Sequence, residues 1–340
     1  MREMGVESKN IMPLPWHDDD IRDDGYLIRT EMDNLCSSEW WRSLGIDGVV
    51  LYSWGAPRYT RIARAVHRAG IRLHVHLDGG DSLSLFSGGI LRRVKQCVLM
   101  LMVARHLSYA DVVTMGKPIA ALFAKRLLLR SAIKNKVVES ACPVAEQCRY
   151  DGREKEDRIL CVGRWSDENQ KRSRFLMRTL ELFYASPRRT ETEIYGKLTD
   201  ELEEWHRALP IEMQQRIKLV GYIDNAELWE RFKAARSIVC PSRFEGSHNV
   251  SAEMLCCGGS VITTRRDQLL NVMWYTEKNS GIVAEEDTPE ALATAIAEEM
   301  QLWNEGKRNP AAIAAAWHPS FHVPQLVKKI FPVVEESAKS

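Results

Sequence analysis

Six short runs, at residues 159–162, 193–195, 217–220, 237–240, 261–264 and 281–284, recur through the second half of the chain, most of them separated by segments of helix length. This alternation constrains the fold more than any other feature. A helix that crosses over between two strands returns the chain to the same end of the sheet, so the strands must pair in parallel. The expectation for 158–316 is a doubly wound α/β domain. The same rhythm begins earlier. Residues 48–53 read as a buried strand and 60–69 as a helix with Ile62, Ala63, Val66 and Ala69 inward. Strands are then expected at 71–77, 111–115 and 136–140, with helices at 90–107 and 119–128. A first Rossmann-like domain is therefore placed within 1–148. The polar stretch 149–157 (RYDGREKED) reads as the linker, and 317–340 as terminal helices returning to the N-terminal domain.

Residues 1–47 predict little beyond a short helix at 39–44, capped by Ser37 or Ser38 and closed by Gly45. No strand–glycine–helix unit is legible there. The N-terminal domain is accordingly expected to be incomplete, truncated or naturally reduced. A D-x-D at Asp18 and Asp20 could hold a metal, with a solvated acidic loop as the plainer reading.

The chain has 340 residues, 45% of them hydrophobic and 27% charged, which excludes a disordered protein. The eight cysteines contain no C-x2-C pair, and buried, reduced thiols are expected. The longest apolar run, 97–104, is too short to cross a bilayer, and no leader pattern opens the sequence. A cytoplasmic location follows as the expectation. The net charge of +1 hides an asymmetry. From 42 to 136 there are sixteen Arg or Lys against four acids, Asp47, Asp78, Asp81 and Asp111. Such a segment suits an anionic membrane surface or a phosphorylated lipid, or simply forms solvated helix faces. No nucleic-acid module is present.

The densest chemistry lies at 241–253. Glu245 and Glu253 stand eight positions apart around the small, polar Gly246-Ser247-His248-Asn249-Val250, between the strand 237–240 and a helix that Gly258-Gly259 can end. A strand-to-helix turn of this kind lies at the carboxyl edge of a parallel sheet, where ligands bind. The first amides of the helix suit a phosphate.

These residues resemble the E-x7-E motif of retaining glycosyltransferases of GT-B fold, especially family 4, the glycosyl transferases group 1. The resemblance implies that Glu245 contacts the donor sugar and Glu253 the ribose hydroxyls. It implies that Gly163-Arg164 and Lys171 clamp the diphosphate; the seven-position gap from Arg164 to Lys171 is two longer than the family's usual one. Gly196 and Gly221-Tyr222, also at strand ends, match its nucleotide-contacting loops. His76, near the end of a strand, is similar to the family histidine that touches the donor sugar, although here the sequence reads His-Leu-Asp, through Asp78, where the family has His-Asp. The implied catalytic set is His76, Arg164, Lys171 and Glu245. The implied architecture is two Rossmann-type domains facing a cleft. The implied activity is transfer from a UDP- or GDP-sugar to a glycan, lipid-linked or small-molecule acceptor, with no metal and no cofactor beyond the donor. Another GT-B enzyme (a phosphorylase or nucleotide-sugar epimerase) and a catalytically inactive nucleotide-sugar- or glycan-binding protein stay open.

Overall fold

The computed structural model describes residues 7–13, 27–53, 57–77, 90–116, 137–139 and 143–322. The chain divides into two compact units. One comprises Met1–Ala141 with Val323–Ser340, the other Cys142–His322.

The first unit opens with two four-residue strands, β1 (Asn10–Pro13) and β2 (Leu27–Thr30), which pair in parallel apart from the main sheet. Sequence reading finds no strand in 1–47, because NIMP and LIRT are too short to show a period. Two short helices follow, α1 (Met32–Leu35) and α2 (Ser38–Ser43). The Ser37 hydroxyl accepts from Trp40 N and so caps α2. The main sheet is built from β3 (Gly48–Ser53), α3 (Pro57–Ala69), β4 (Arg72–Leu77), α4 (Ile90–Leu107), β5 (Val112–Met115) and β6 (Val137–Glu139). Its strands lie side by side in chain order and all run parallel. Right-handed crossovers that advance in one direction put α3 and α4 on the same face of the sheet. The helix expected at 119–128 lies outside the described residues, as do Asp18, Asp20 and Asp78.

The second unit carries β7 (Glu156–Val162), α5 (Glu168–Lys171), α6 (Ser173–Tyr184), β8 (Glu191–Tyr195), α7 (Asp200–Ala208), α8 (Ile211–Arg216), β9 (Ile217–Gly221), α9 (Asn225–Ala234) and β10 (Ala235–Cys240). It ends with α10 (Asn249–Cys256), β11 (Ser260–Thr264), α11 (Leu270–Trp274), β12 (Gly281–Ala284), α12 (Pro289–Asn304) and α13 (Pro310–Phe321). The six parallel strands stand in the order β12-β11-β10-β7-β8-β9. The chain therefore builds outward from β7 through β8 to β9, then crosses to the other side of β7 for β10. That reversal between β7 and β10 is the topological switch point of a doubly wound sheet. Ile159, Leu160, Ile238, Val239, Val261 and Ile262 are almost fully buried in its centre. Central strands covered on both faces lose polar alternation, which is why they read as plain apolar runs.

Two boundaries differ from expectation. The stretch 149–157 is not a free linker. Tyr150 N donates to Cys256 O at 2.9 Å, Lys155 is buried, and Glu156 already begins β7. The Lys155 ammonium donates to Phe232 O and Cys257 O at 2.8 and 2.7 Å, so a lysine that composition assigns to solvent ties two helix ends together. Burial pushes its pKa down to about 7. At the other boundary, Trp317 and Phe321 belong to α13 and pack with Tyr275, inside the second unit. The remainder of the expected terminal helices, 323–340, lies outside the described residues.

One buried ion pair is part of this core. Glu299 on α12 is 0% exposed and receives Nε and Nη2 of Arg308 at 2.7 and 2.6 Å. Arg308 Nη1 also reaches Asn279 O at 3.2 Å. Breaking a buried pair leaves an uncompensated charge, which costs about 3–5 kcal/mol. Glu299→Gln keeps the volume and removes the charge. Calorimetry of the variant is expected to show the transition of the second unit lowered by roughly ten degrees; an unchanged midpoint would show the pair to be dispensable.

Candidate functional site

The carboxyl ends of β7 and β10, adjacent at the switch point, bring together residues far apart in sequence. Gly163 follows β7, and the Lys171 side chain passes it, its Cδ in ordinary contact distance, 3.5 Å, of where a Cβ would stand. Lys171 ends α5, and its Nζ reaches Glu245 Oε1 at 2.5 Å. The Ser242 hydroxyl donates to the same oxygen at 2.5 Å, and Gln170 Nε2 to Oε2 at 3.3 Å. Backbone bonds close the frame: Arg243 N donates to Gln170 O at 2.8 Å and Glu245 N to Gln268 O at 3.1 Å. Glu245 is 6% exposed, so it is fixed by three side chains in a nearly dry setting. Burial acts to raise its carboxyl, but its cationic and hydrogen-bonding neighbours, Lys171 and Ser242 among them, hold it below the usual carboxylate range.

The loop after Glu245 is pinned by its carbonyls. Asn271 Nδ2 donates to Gly246 O at 3.0 Å and the Tyr275 hydroxyl to Ser247 O at 2.6 Å. His248 then starts α10 in the left-handed region, at φ +42°. That conformation is costly for a side chain with a Cβ and persists only where neighbours hold it. Here Ser251 N donates to His248 O at 3.0 Å, and the ring Nδ1 meets Ser251 Oγ at 2.6 Å. Burial pushes His248 down to about 4, so it is neutral at neutral pH and Lys171 is the cation facing Glu245. Asn249 and Val250 form the first turn of α10, where amides lack intrahelical acceptors.

Around this centre the charge is positive. Arg164 is exposed beyond β7. Arg172, at φ +58° between α5 and α6, pairs with Asp287 at 2.6 Å, and Arg266 binds the other Asp287 oxygen. Cys240, Glu245 and His248 also place a thiol, a carboxylate and an imidazole within 4.8 Å of one another, the one such group among the described residues that could hold a metal ion. The Lys171 ammonium now occupies that carboxylate, and burial pushes the Cys240 thiol up to about 11.

The other expected residues fall farther out. Gly196 follows β8 at φ +104°, and a Cβ there would collide with Gly163 O, so only glycine lets β7 and β8 end so close together. Its N–H donates to Gly221 O at 2.8 Å, and Gly221 ends β9. Tyr222 is 85% exposed. Glu253 sits on α10, facing Trp229 of α9, whose Nε1 approaches Oε1 at 3.4 Å. Burial raises its carboxyl to about 7. His76 lies in the first unit near the end of β4, buried, with Nδ1 2.9 Å from Thr114 Oγ1. His74, on the same face, meets the same hydroxyl at 2.6 Å. The Tyr52 ring lies 5.3 Å from His76. Sequence reasoning did not select Gln170, Ser242, Asn271 or Tyr275. Ser242 stands inside the quoted motif and carried a signal; the rest become relevant only through the fold.

The His248 geometry has a consequence for stability. Between about pH 6.5 and 4 the unfolded chain takes up a proton that folded His248 refuses. Stability is therefore lost as pH falls through that window, by up to about 3 kcal/mol. His248→Asn tolerates the left-handed backbone and does not titrate. Urea unfolding at neutral and acid pH is expected to show a smaller acid loss in the variant; equal losses would refute the buried neutral imidazole.

Residues 156–301 match the family of glycosyl transferases group 1. No curated protein matches the chain in sequence. Among solved structures, the chain is similar to sucrose-phosphate synthase from Thermosynechococcus elongatus, with 15% identity, TM-score 0.63, and 89% of this chain and 78% of that one covered. It is similar to HepE of Anabaena in complex with UDP, at 13% identity, TM-score 0.60, and 89% and 81% coverage. It is also similar to an α,α-trehalose 6-phosphate synthase from Burkholderia multivorans, at 10% identity, TM-score 0.62, and 90% and 75% coverage.

Proposed function

We propose that this chain, which has the fold of GT-B glycosyltransferases and a group 1 match over 156–301, is a retaining, nucleotide-sugar-dependent glycosyltransferase that needs no metal. The observation that carries the reading is the meeting of Lys171 and Glu245 between the ends of β7 and β10. Charge develops on the diphosphate as the sugar departs. A fixed ammonium, the exposed Arg164 and the first-turn amides of α10 are the groups that stabilise it. Glu245, oriented by Lys171, Ser242 and Gln170, keeps acceptor capacity for hydroxyls of the donor sugar. The bond from the anomeric carbon to the diphosphate breaks and the bond to the acceptor oxygen forms on the same face. The departing phosphate takes the acceptor proton, so no protein nucleophile is required.

The acceptor is a glycan, a lipid-linked sugar or a small molecule. UDP is the first nucleotide to test, because HepE is described in complex with it. The location is cytoplasmic, with the basic N-terminal unit in peripheral contact with the inner face of an anionic membrane.

Glu253 is assigned to the ribose. A carboxyl held near pH 7 by burial is ionised by accepting hydroxyl hydrogen bonds, so nucleotide binding expels a proton. Calorimetric titrations with UDP and GDP, in buffers of different ionisation enthalpy, are expected to show that release in the wild type and not in Glu253→Gln. The variant should bind free nucleotide and nucleotide-sugar roughly tenfold or more weakly, the cost of a charge-assisted hydrogen bond. Glu245→Gln should spare the free nucleotide and impair sugar binding or turnover. If neither variant alters affinity or turnover, the assignment fails. A second expectation is that transfer survives a chelator. Loss in chelator, restored by added metal but not in Cys240→Ala, would instead assign a metal to Cys240, Glu245 and His248.

A further inference from the structure

Helix α4 is apolar on the side where a surface helix should be polar. Ile90, Leu91, Val94, Val98 and Leu101 are all more than half exposed, Leu91 at 84%. At 100° per residue these five positions fall within one arc of about 100°. Val103, Ala104 and Leu107 face the other way and are buried. The helix therefore offers apolar surface to solvent as well as to the core. A stripe of this kind on a soluble face calls for a partner.

The neighbouring helix states what that partner is. Arg61, Arg64 and Arg68 follow one another at helical spacing on α3, and line a surface pocket with Cys36, Ser38 and Ala65. None of the three arginines has a carboxylate partner among the described residues. Arg64 Nε donates to the Tyr109 hydroxyl at 3.2 Å, and Arg42 of α2 donates to Arg68 O at 2.8 Å. On α4 itself Lys95 is exposed beside the stripe, and Arg105 is exposed on its line, one turn beyond Leu101. The two crossovers place α3 and α4 on one face of the sheet, so the arginines and the apolar stripe belong to one helical layer. An exposed apolar strip in the same helical layer as arginines that have no carboxylate partner among the described residues is complementary to an anionic bilayer, which offers phosphates over an apolar interior. Among the described residues no helix is long and apolar enough to cross a membrane, so contact would be from one side.

We propose that the α2–α3–α4 layer of the first unit docks on an anionic membrane, with the Ile90–Leu101 stripe of α4 entering the headgroup region and Arg61, Arg64 and Arg68 holding lipid phosphates. This deepens the peripheral contact put forward above and rests on that part of the reading; the transferase chemistry is independent of it. The fit is electrostatic and apolar at once, so neither a neutral bilayer nor free phosphate satisfies both halves.

The test is co-sedimentation of the full chain with vesicles of phosphatidylcholine alone and of phosphatidylcholine mixed with phosphatidylglycerol, without nucleotide. Binding is expected to the mixed vesicles and to weaken with salt. Leu91→Gln with Val94→Gln should reduce partitioning at least tenfold, since both side chains would otherwise leave water. Arg61→Gln with Arg68→Gln should reduce it by roughly fivefold per arginine, and only for the anionic vesicles. These positions are exposed, and unchanged thermal unfolding would show that the variants fold. Donor titration on the same samples separates this idea from the transferase reading, since the variants should keep nucleotide affinity. Equal binding to both vesicle types, or no binding, overturns the proposal. So does a concentration-dependent dimer in sedimentation equilibrium that Leu91→Gln abolishes, which would make the stripe an interface between two copies.

Discussion

The pairing of β10 against β7 is the constraint on which the second unit depends. It sets Ser237 beside Ile159 and Ile238 beside Leu160, and places two strand ends next to each other at the switch point of the sheet. The site uses that adjacency. The loop after β7 carries Lys171 in; the loop after β10 carries Glu245 in; the backbone bond from Arg243 N to Gln170 O ties the two together. Behind the sheet, Trp303 donates to the hydroxyls of Ser237 and Ser260, which are themselves 2.7 Å apart. Those two serine hydroxyls are satisfied there, away from the strand ends that carry the site.

Much of this was legible because parallel strands buried on both faces leave a plain mark in sequence. All six strands of the second unit lie where the short runs stand, within a few residues at their N-terminal ends. Glu245 and Lys171 could be nominated from motif and order, although nothing in the spacing says that one bonds the other. What stayed hidden is of two kinds. Tertiary anchors such as Asn271 and Tyr275 sit in a segment with no motif, and they matter only because the fold carries them beneath Gly246 and Ser247. Buried polar residues in polar surroundings were misread. RYDGREKED looks like solvent-exposed chain, yet Lys155 lies inside it with two carbonyl partners.

The first unit reads differently. Its sheet has no reversal of strand order among the described strands, so it offers no switch point of its own there. His74 and His76, on one face of β4 as the period of a strand requires, share Thr114. Burial and the nearby His76 and Arg72 push His74 down to about 3, which makes it a neutral core group. The distinctive chemistry of this unit is on its helices, where apolar spacing predicts a helix at 90–107 and does not show that one apolar side of it faces water.

The left-handed backbone at His248 bears on how this sequence can vary. Two demands meet at that position, a ring that packs beside Glu245 and a dihedral that most side chains avoid. Glycine, asparagine and aspartate meet the second demand at low cost; valine, isoleucine and threonine do not. Among sequences that share this turn, replacement at 248 would then be filtered by backbone geometry before any chemical preference acts. Neighbouring Val250, in ordinary helical conformation and half-buried, carries no such filter, so drift in this short loop would be strongly uneven from one residue to the next.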